Sequence, residues 1–234
     1  MPAISVCFLH VGPDHAIPSF MVASVKAAMP DAEVVQMTDQ ATPPVPGADR
    51  VLRHEWDGRK LMIYRLAHLA ALERPACVIL DTDVIVQRSL APVFERPFDV
   101  ALTVRHEPVK TLDKTRDLTP EMPYNTGVMF SREPRFWKAA LERCRALPGK
   151  QHDWWGDQLS VKQVADSGQF NVVELPCEVY NYSPSTESED VSERHVVHYK
   201  GARKLWMKQR FLGAPRKRGL LARALLDIFP PRGR

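Results

Sequence analysis

The segment Ala76-Cys-Val-Ile-Leu80 is wholly apolar and breaks at once into Asp81-Thr-Asp83, after which Val84-Ile-Val86 resumes. A short continuous apolar run of this kind predicts a central strand of a sheet. Around it the pattern alternates. Strands are predicted at Ile4–Leu9, Glu33–Met37, Arg50–Arg53 and Val100–Val104, and helices at Pro18–Met29 and Gly58–Leu72, the latter ending before Pro75. Strand–helix alternation over the first hundred residues implies an α/β fold, with a mostly parallel central sheet flanked by helices. In such sheets ligands sit at the carboxyl ends of the strands.

Further along, Arg105–Asn125 is long, polar and contains three prolines, which predicts a functional loop or lid. Val128–Phe130 reads as a short strand, Phe136–Ala146 and Asp157–Ala165 as helices, and Phe170–Leu175 and His195–His198 as strands. Gly219–Phe229 reads as a basic amphipathic helix. The 234 residues fit one large domain, with a body over residues 1–212 and a separate tail over 213–234.

Composition excludes several classes. At 44% hydrophobic and 26% charged residues the chain is not disordered. It has no apolar run long enough for a transmembrane helix, and Met1–His10 lacks the features of a secretory signal. The four cysteines (Cys7, Cys77, Cys144, Cys177) form no CxxC pair, which suits reduced, buried thiols of a cytosolic protein. Net charge is +4, unevenly spread: Lys200–Arg234 holds 11 basic residues and one acid, Asp227, so the preceding body is acidic. Such a tail points to an anionic partner, and attachment to an anionic membrane surface through residues 213–234 is one reading. A helix packed on the body with its bases solvated is the other.

Four groupings can carry chemistry. Asp81 and Asp83 stand two apart at a strand end, where both can approach one hard cation such as Mg²⁺ or Mn²⁺; a solvated Asx turn is the plain alternative. His198-Tyr-Lys-Gly201-Ala-Arg-Lys204 combines an imidazole, a glycine that permits close backbone approach and a mobile positive charge, although a lone histidine is usually structural. Tyr124-Asn125-Thr-Gly127 suits a tight turn or an amide that bonds hydroxyls. Trp154-Trp155-Gly156-Asp157-Gln158 offers rings, a carboxylate and an amide of the kind a sugar requires; core tryptophans with Asp157 as a helix N-cap would look the same.

Taken in order and spacing, the four groupings resemble glycosyltransferase family 8, the retaining, nucleotide-sugar-dependent transferases of the GT-A fold. The resemblance runs from Ile4 to about Trp206. The apolar strand followed by DxD is similar to Val78–Val86, Asn-x-Gly to Asn125–Gly127, and Asp-Gln to Asp157–Gln158. The late His-x-x-Gly-x-x-Lys-Pro-Trp motif is similar to His198–Trp206, with Leu205 in place of proline. The region of Lys60 and Tyr64-Arg65 is similar to the donor-contacting helix.

The resemblance implies a Rossmann-like single domain of GT-A type and a Mn²⁺ (or Mg²⁺) ion held by Asp81, Asp83 and His198. The donor would be a UDP-sugar, contacted by Lys60, Arg65, Asp81, Thr82, Asn125, Gly127, Gly201 and Lys204. It implies transfer of a hexose with retention to a glycan or lipid-linked acceptor. Gln158 would position the reacting face, and Asp157 is the weaker option as nucleophile. The setting would be cytoplasmic, or peripheral at the inner face of the membrane. Competing readings are a sugar-phosphate nucleotidyltransferase, whose Gly-rich basic loop is missing after Leu9, and a metal-dependent glycan-binding module without turnover. A nucleic-acid partner is argued against by the acidic body.

Overall fold

A computed structural model of the chain describes residues 3–110, 115–149, 151 and 155–213. Among these residues nine strands form two sheets. The strands are β1 (Ser5–Leu9), β2 (Glu33–Thr38), β3 (Arg50–Arg53), β4 (Cys77–Leu80), β5 (Val84–Val86), β6 (Val100–Val104), β7 (Tyr124–Ser131), β8 (Val172–Pro176) and β9 (Val196–His198). Seven of them make the central sheet, in the order β3-β2-β1-β4-β7-β6-β8. Every neighbouring pair is parallel except those of β7, which runs against both β4 and β6. The remaining two, β5 and β9, pair antiparallel as a separate ribbon with Val84 opposite His198.

The central strands β1, β4 and β7 are buried on both faces because both faces are covered. Successive side chains point to opposite sides. Val6, Phe8, Val78, Leu80, Val128 and Phe130 enter one core with the β5–β9 ribbon and helix α1 (Ala16–Ala28). Cys7, Met37, Cys77, Ile79 and Met129 enter the other. There they meet helices α2 (Leu61–Ala70), α3 (Pro134–Ala146) and α4 (Gly156–Ala165). All four cysteines are buried free thiols. One-turn α5 (Cys177–Tyr180) and α6 (Lys204–Gly213) lie further along the chain, and two short 3₁₀ helices occupy Ala91–Glu95 and Gly201–Arg203. No helix among the described residues is long and apolar enough to cross a membrane.

Several boundaries differ from those read in the sequence. α2 begins three residues after Gly58, because Lys60 adopts a left-handed backbone at φ 51° that cannot continue a helix backwards. α3 begins at Pro134, whose missing N–H suits a first turn, and the Glu133 carboxylate accepts a bond from the Arg135 N–H. Residues 124–127, for which a tight turn was one of two readings, lie inside β7. α5 and α6 were not expected at all. The helix over 219–229, Trp154 and part of the 105–125 loop lie outside the described residues.

Candidate active site

Asp81 is the first residue past β4, and its backbone N–H donates to the Gly127 carbonyl of β7 at 2.8 Å. Two residues on, Asp83 leads into β5. Its carbonyl accepts from the Tyr199 N–H at 2.8 Å, one step beyond the Val84–His198 register pair. The ribbon therefore carries His198 to the two aspartates from 115 residues away in the chain. One ligand atom from each of Asp81, Asp83 and His198 lies within 4.8 Å of the other two. His198 Nε2 stands 3.2 Å from Asp83 Oδ1 and 3.8 Å from Asp81 Oδ2.

The histidine is oriented by Asn181. The Asn181 amide donates to Thr103 Oγ1 at 2.8 Å and to the Asn125 carbonyl at 3.0 Å, so its own oxygen faces His198 Nδ1 at 2.8 Å. Nδ1 must then carry the proton, which leaves Nε2 directed at the carboxylates. Such a partner on the far ring nitrogen is what a metal-binding histidine uses. Two carboxylates and an imidazole lone pair form a mixed oxygen and nitrogen donor set that suits Mn²⁺ or Mg²⁺ chemistry and lacks the thiolates of a structural zinc site. Gly127 makes room for it. A Cβ there would stand 2.3 Å from His198 Cε1 and 3.1 Å from Asp81 Oδ2.

Charge around the cluster is balanced by cations. Arg65, on α2, is 7% exposed and bridges two acids: Nη2 reaches Asp81 Oδ1 at 3.0 Å and Nη1 reaches Asp157 Oδ2 at 2.8 Å. Thr126 supports it, its carbonyl accepting from Nη2 at 2.7 Å and its hydroxyl donating to Asp157 Oδ2 at 3.0 Å. Burial would lower the Arg65 guanidinium, but Asp81 and Asp157 hold it above its ordinary value. Burial likewise pushes the Asp81 carboxyl up, against the pull of Arg65 and His198. For Asp83 burial acts in the same sense and loses. Hydrogen bonds and charge from His198 and Lys204 hold that carboxyl well below the usual range. Lys204 Nζ lies 3.3 Å from Asp83 Oδ2 with its side chain about half exposed.

Other expected residues take up distinct places. Thr82 forms the turn between the two aspartates. Asp157 is not the helix N-cap; Trp155 holds that place, and Asp157 sits in the first turn with Oδ1 accepting from the Gln158 N–H at 2.9 Å. Gln158 Oε1 accepts from Arg105 Nη2. Asn125 is buried on β7, its Oδ1 accepting from the Gly127 N–H at 3.2 Å. Gly201 has φ 65° and open space where a Cβ would stand, so its value here is backbone freedom. Lys60 lies apart from the cluster, lining a separate cleft of about 680 Å³ with Trp56, Arg59 and Tyr64. Leu205, the departure from the late motif, is 66% exposed.

Asn181, Thr126 and Arg105 escaped the sequence reading. Arg105 alone had a local signal, as the first residue after a predicted strand at the sheet's carboxyl edge.

The architecture has solved counterparts. A glycosyltransferase involved in the glycosylation of the major capsid of PBCV-1 superposes with a TM-score of 0.62 at 13% identity, covering 89% of this chain and 100% of that one. The fold is a glycosyltransferase fold. The bifunctional glycosyltransferase WbbM gives 0.60 at 13% identity over 95% of this chain, which spans only 52% of WbbM. The galactosyltransferase LgtC, solved with donor and acceptor sugar analogs, gives 0.51 at 14% identity over 85% of this chain and 87% of LgtC. No protein-family profile matches the sequence, and no curated protein does.

Proposed function

We propose that the protein is a metal-dependent glycosyltransferase of the family 8 kind, moving a hexose from a UDP-sugar to a glycan or lipid-linked acceptor with retention. The observation that carries this reading is the convergence of Asp81, Asp83 and His198 donor atoms within 4.8 Å, at the carboxyl edge of a glycosyltransferase-fold sheet. A resident Mn²⁺ or Mg²⁺ held by these three would neutralise negative charge growing on a departing diphosphate. Lys204, beside Asp83, adds a mobile positive charge on the same side. Arg65 fixes Asp81 from behind and adds charge towards the donor. Thr82, between the aspartates, would add a donor contact, Lys60 would contribute only if the donor extends into the cleft it lines with Trp56 and Tyr64, and Gly201 lets the backbone after β9 turn in close.

The sugar would lie against Asn125, Gly127, Asp157 and Gln158. Both oxygens of Asp157 are already committed, one to Arg65 and Thr126 and the other to the Gln158 N–H, so its supported role is to anchor the site rather than to attack carbon. Gln158 has its oxygen taken by Arg105, and its Nε2 has no partner among the described residues and can donate to a ligand. That favours front-face attack with Gln158 as a positioning residue over a covalent intermediate. A glycan-binding module without turnover would need the same cluster, and a nucleotidyltransferase would release pyrophosphate instead of UDP.

The test is hydrolysis of a panel of nucleotide sugars in Mn²⁺ and in EDTA, with parent and Asp83→Ala. UDP release that needs both the metal and Asp83 is expected. Equal release by the variant, or equal release in EDTA, refutes the reading.

A further inference from the structure

We infer that the small cleft beside the aspartate–histidine cluster binds an anionic substituent, a carboxylate or a phosphate, on the acceptor sugar. The inference rests on the glycosyl-transfer reading and specifies the substrate class of that site. The cleft is about 50 Å³ and is lined by Arg105, Lys200, Asn181 and Ser183 among others. That is far below the several hundred cubic ångströms of a site for a whole drug-sized ligand, so it suits one small group of a larger molecule.

Two cations and a hydroxyl meet there. Arg105 leaves the carboxyl end of β6 and is tied down on one side, Nε donating to the Met122 carbonyl at 3.1 Å and Nη2 to Gln158. Its Nη1 has no partner among the described residues. Lys200 follows β9 and has no hydrogen bond and no carboxylate within ion-pair distance among the described residues. Ser183 is 5% exposed and its Oγ has no hydrogen-bond partner among the described residues, which is costly for a buried hydroxyl unless a ligand satisfies it. One acid lines the cleft, Glu107, 3.8 Å from His106 Nε2 and acting on Lys200 through its charge without an ion pair, so the two cations outnumber it. Uncommitted guanidinium and ammonium donors with an unsatisfied hydroxyl are what an oxyanion recognises.

The place of the cleft assigns the anion to the acceptor. Arg105 contacts Gln158, the residue expected at the reacting face, and this cleft shares no lining residue with the one that holds Lys60. An acceptor seated there would present its hydroxyl to the donor sugar while its charge is held by Arg105 and Lys200.

The experiment is a ligand-observed NMR titration of glucuronic acid, glucose 6-phosphate and glucose against the full chain with Mn²⁺ and UDP present, with UDP binding measured separately. One of the two anionic sugars is expected to bind at least about tenfold tighter than glucose, the lower end for charge-assisted hydrogen bonds. Which one identifies the group as carboxylate or phosphate. Lys200→Gln should abolish the preference and Ser183→Ala should reduce it, each with an unchanged thermal midpoint. UDP binding with no preference for either anion, or a preference that survives Lys200→Gln, overturns the inference and leaves the transferase reading intact. A Lys200-dependent preference for UDP-glucuronic acid over UDP-glucose moves the anion to the donor and overturns the assignment. Failure of UDP to bind refutes the transferase reading itself, whatever the anions do.

Discussion

Replacing Gly127 with alanine should cost the proposed metal site its imidazole. The added Cβ would stand 2.3 Å from His198 Cε1 and 2.6 Å from Nδ1, where ordinary contact begins at 3.4 Å. The imidazole must therefore retreat by about 1.1 Å, or β7 must move by as much. The strand has little freedom, being paired on both sides and holding Asp81 through the Gly127 carbonyl at 2.8 Å. The ring is 3% exposed and tethered through Nδ1 to Asn181 at 2.8 Å. Coordination distances tolerate deviations of only about 0.2 Å, so a shift several times larger removes the imidazole from the ion. Disturbing only the outer partners of a metal ligand costs about 10–100-fold in affinity, and displacing the ligand should cost at least that, about 1.4–2.8 kcal/mol or more. Overpacking should add a stability loss of about 1–3 kcal/mol. Mn²⁺ titration followed by electron paramagnetic resonance reads the first effect and urea unfolding without metal reads the second. Mn²⁺ affinity within twofold of the parent would show that His198 is not a ligand, and the site geometry argued above would have to be abandoned.

Asp157→Asn leaves Arg65 buried with only Asp81 to balance it, and a loss of about 3 kcal/mol in urea unfolding is expected; a change under 1 kcal/mol would mean that Asp157 does not anchor the site. Asn181→Ala should free the His198 ring and weaken Mn²⁺ binding by roughly 10–100-fold with the DxD pair untouched, so unchanged affinity would rule out the orienting role. Stability should also fall with acid through His68. Burial, with His54 stacked at 4.1 Å, lowers its imidazole to about 4. The unfolded chain takes up that proton near 6.5 and the folded one only near 4, so stability present above pH 6.5 is lost as pH falls through this window, by up to about 3 kcal/mol. Urea midpoints across pH 7 to 4.5 should show a shallower slope in His68→Gln; identical slopes would remove His68 from the account.

What was legible in the sequence was local. The apolar run at 76–80 announces a central strand, and the aspartates after it mark the strand end where the acidic cluster forms, because both signals sit within eight residues. The reversal of β7 left no trace, since a strand buried on both faces reads the same in either direction. The start of α2 was misplaced because nothing in Gly58-Arg-Lys60 marks a left-handed lysine. His198 stood out through its grouping with Gly201 and Lys204, but as a lone histidine in a short apolar strand it favours a structural role until the resemblance is added. Asn181 and Thr126 stayed hidden because their work is done across 17 and 61 residues, on His198 and Arg65, by side chains whose types are common in any loop or strand. Pairwise contacts of that span are fixed by topology, and topology is the level at which single-sequence reasoning thins out.

The two-stranded ribbon sets a timetable for the site during biosynthesis. Asp81 and Asp83 emerge about 117 and 115 residues before His198, which at roughly 5–20 residues per second is a delay on the order of 10 s. Through that interval the nascent chain offers a divalent ion two carboxylates and no imidazole. If Asp81, Asp83 and His198 together hold the ion as proposed, tight capture waits until β9 closes on β5, and metallation would be a late checkpoint, open to chains in which that strand has docked.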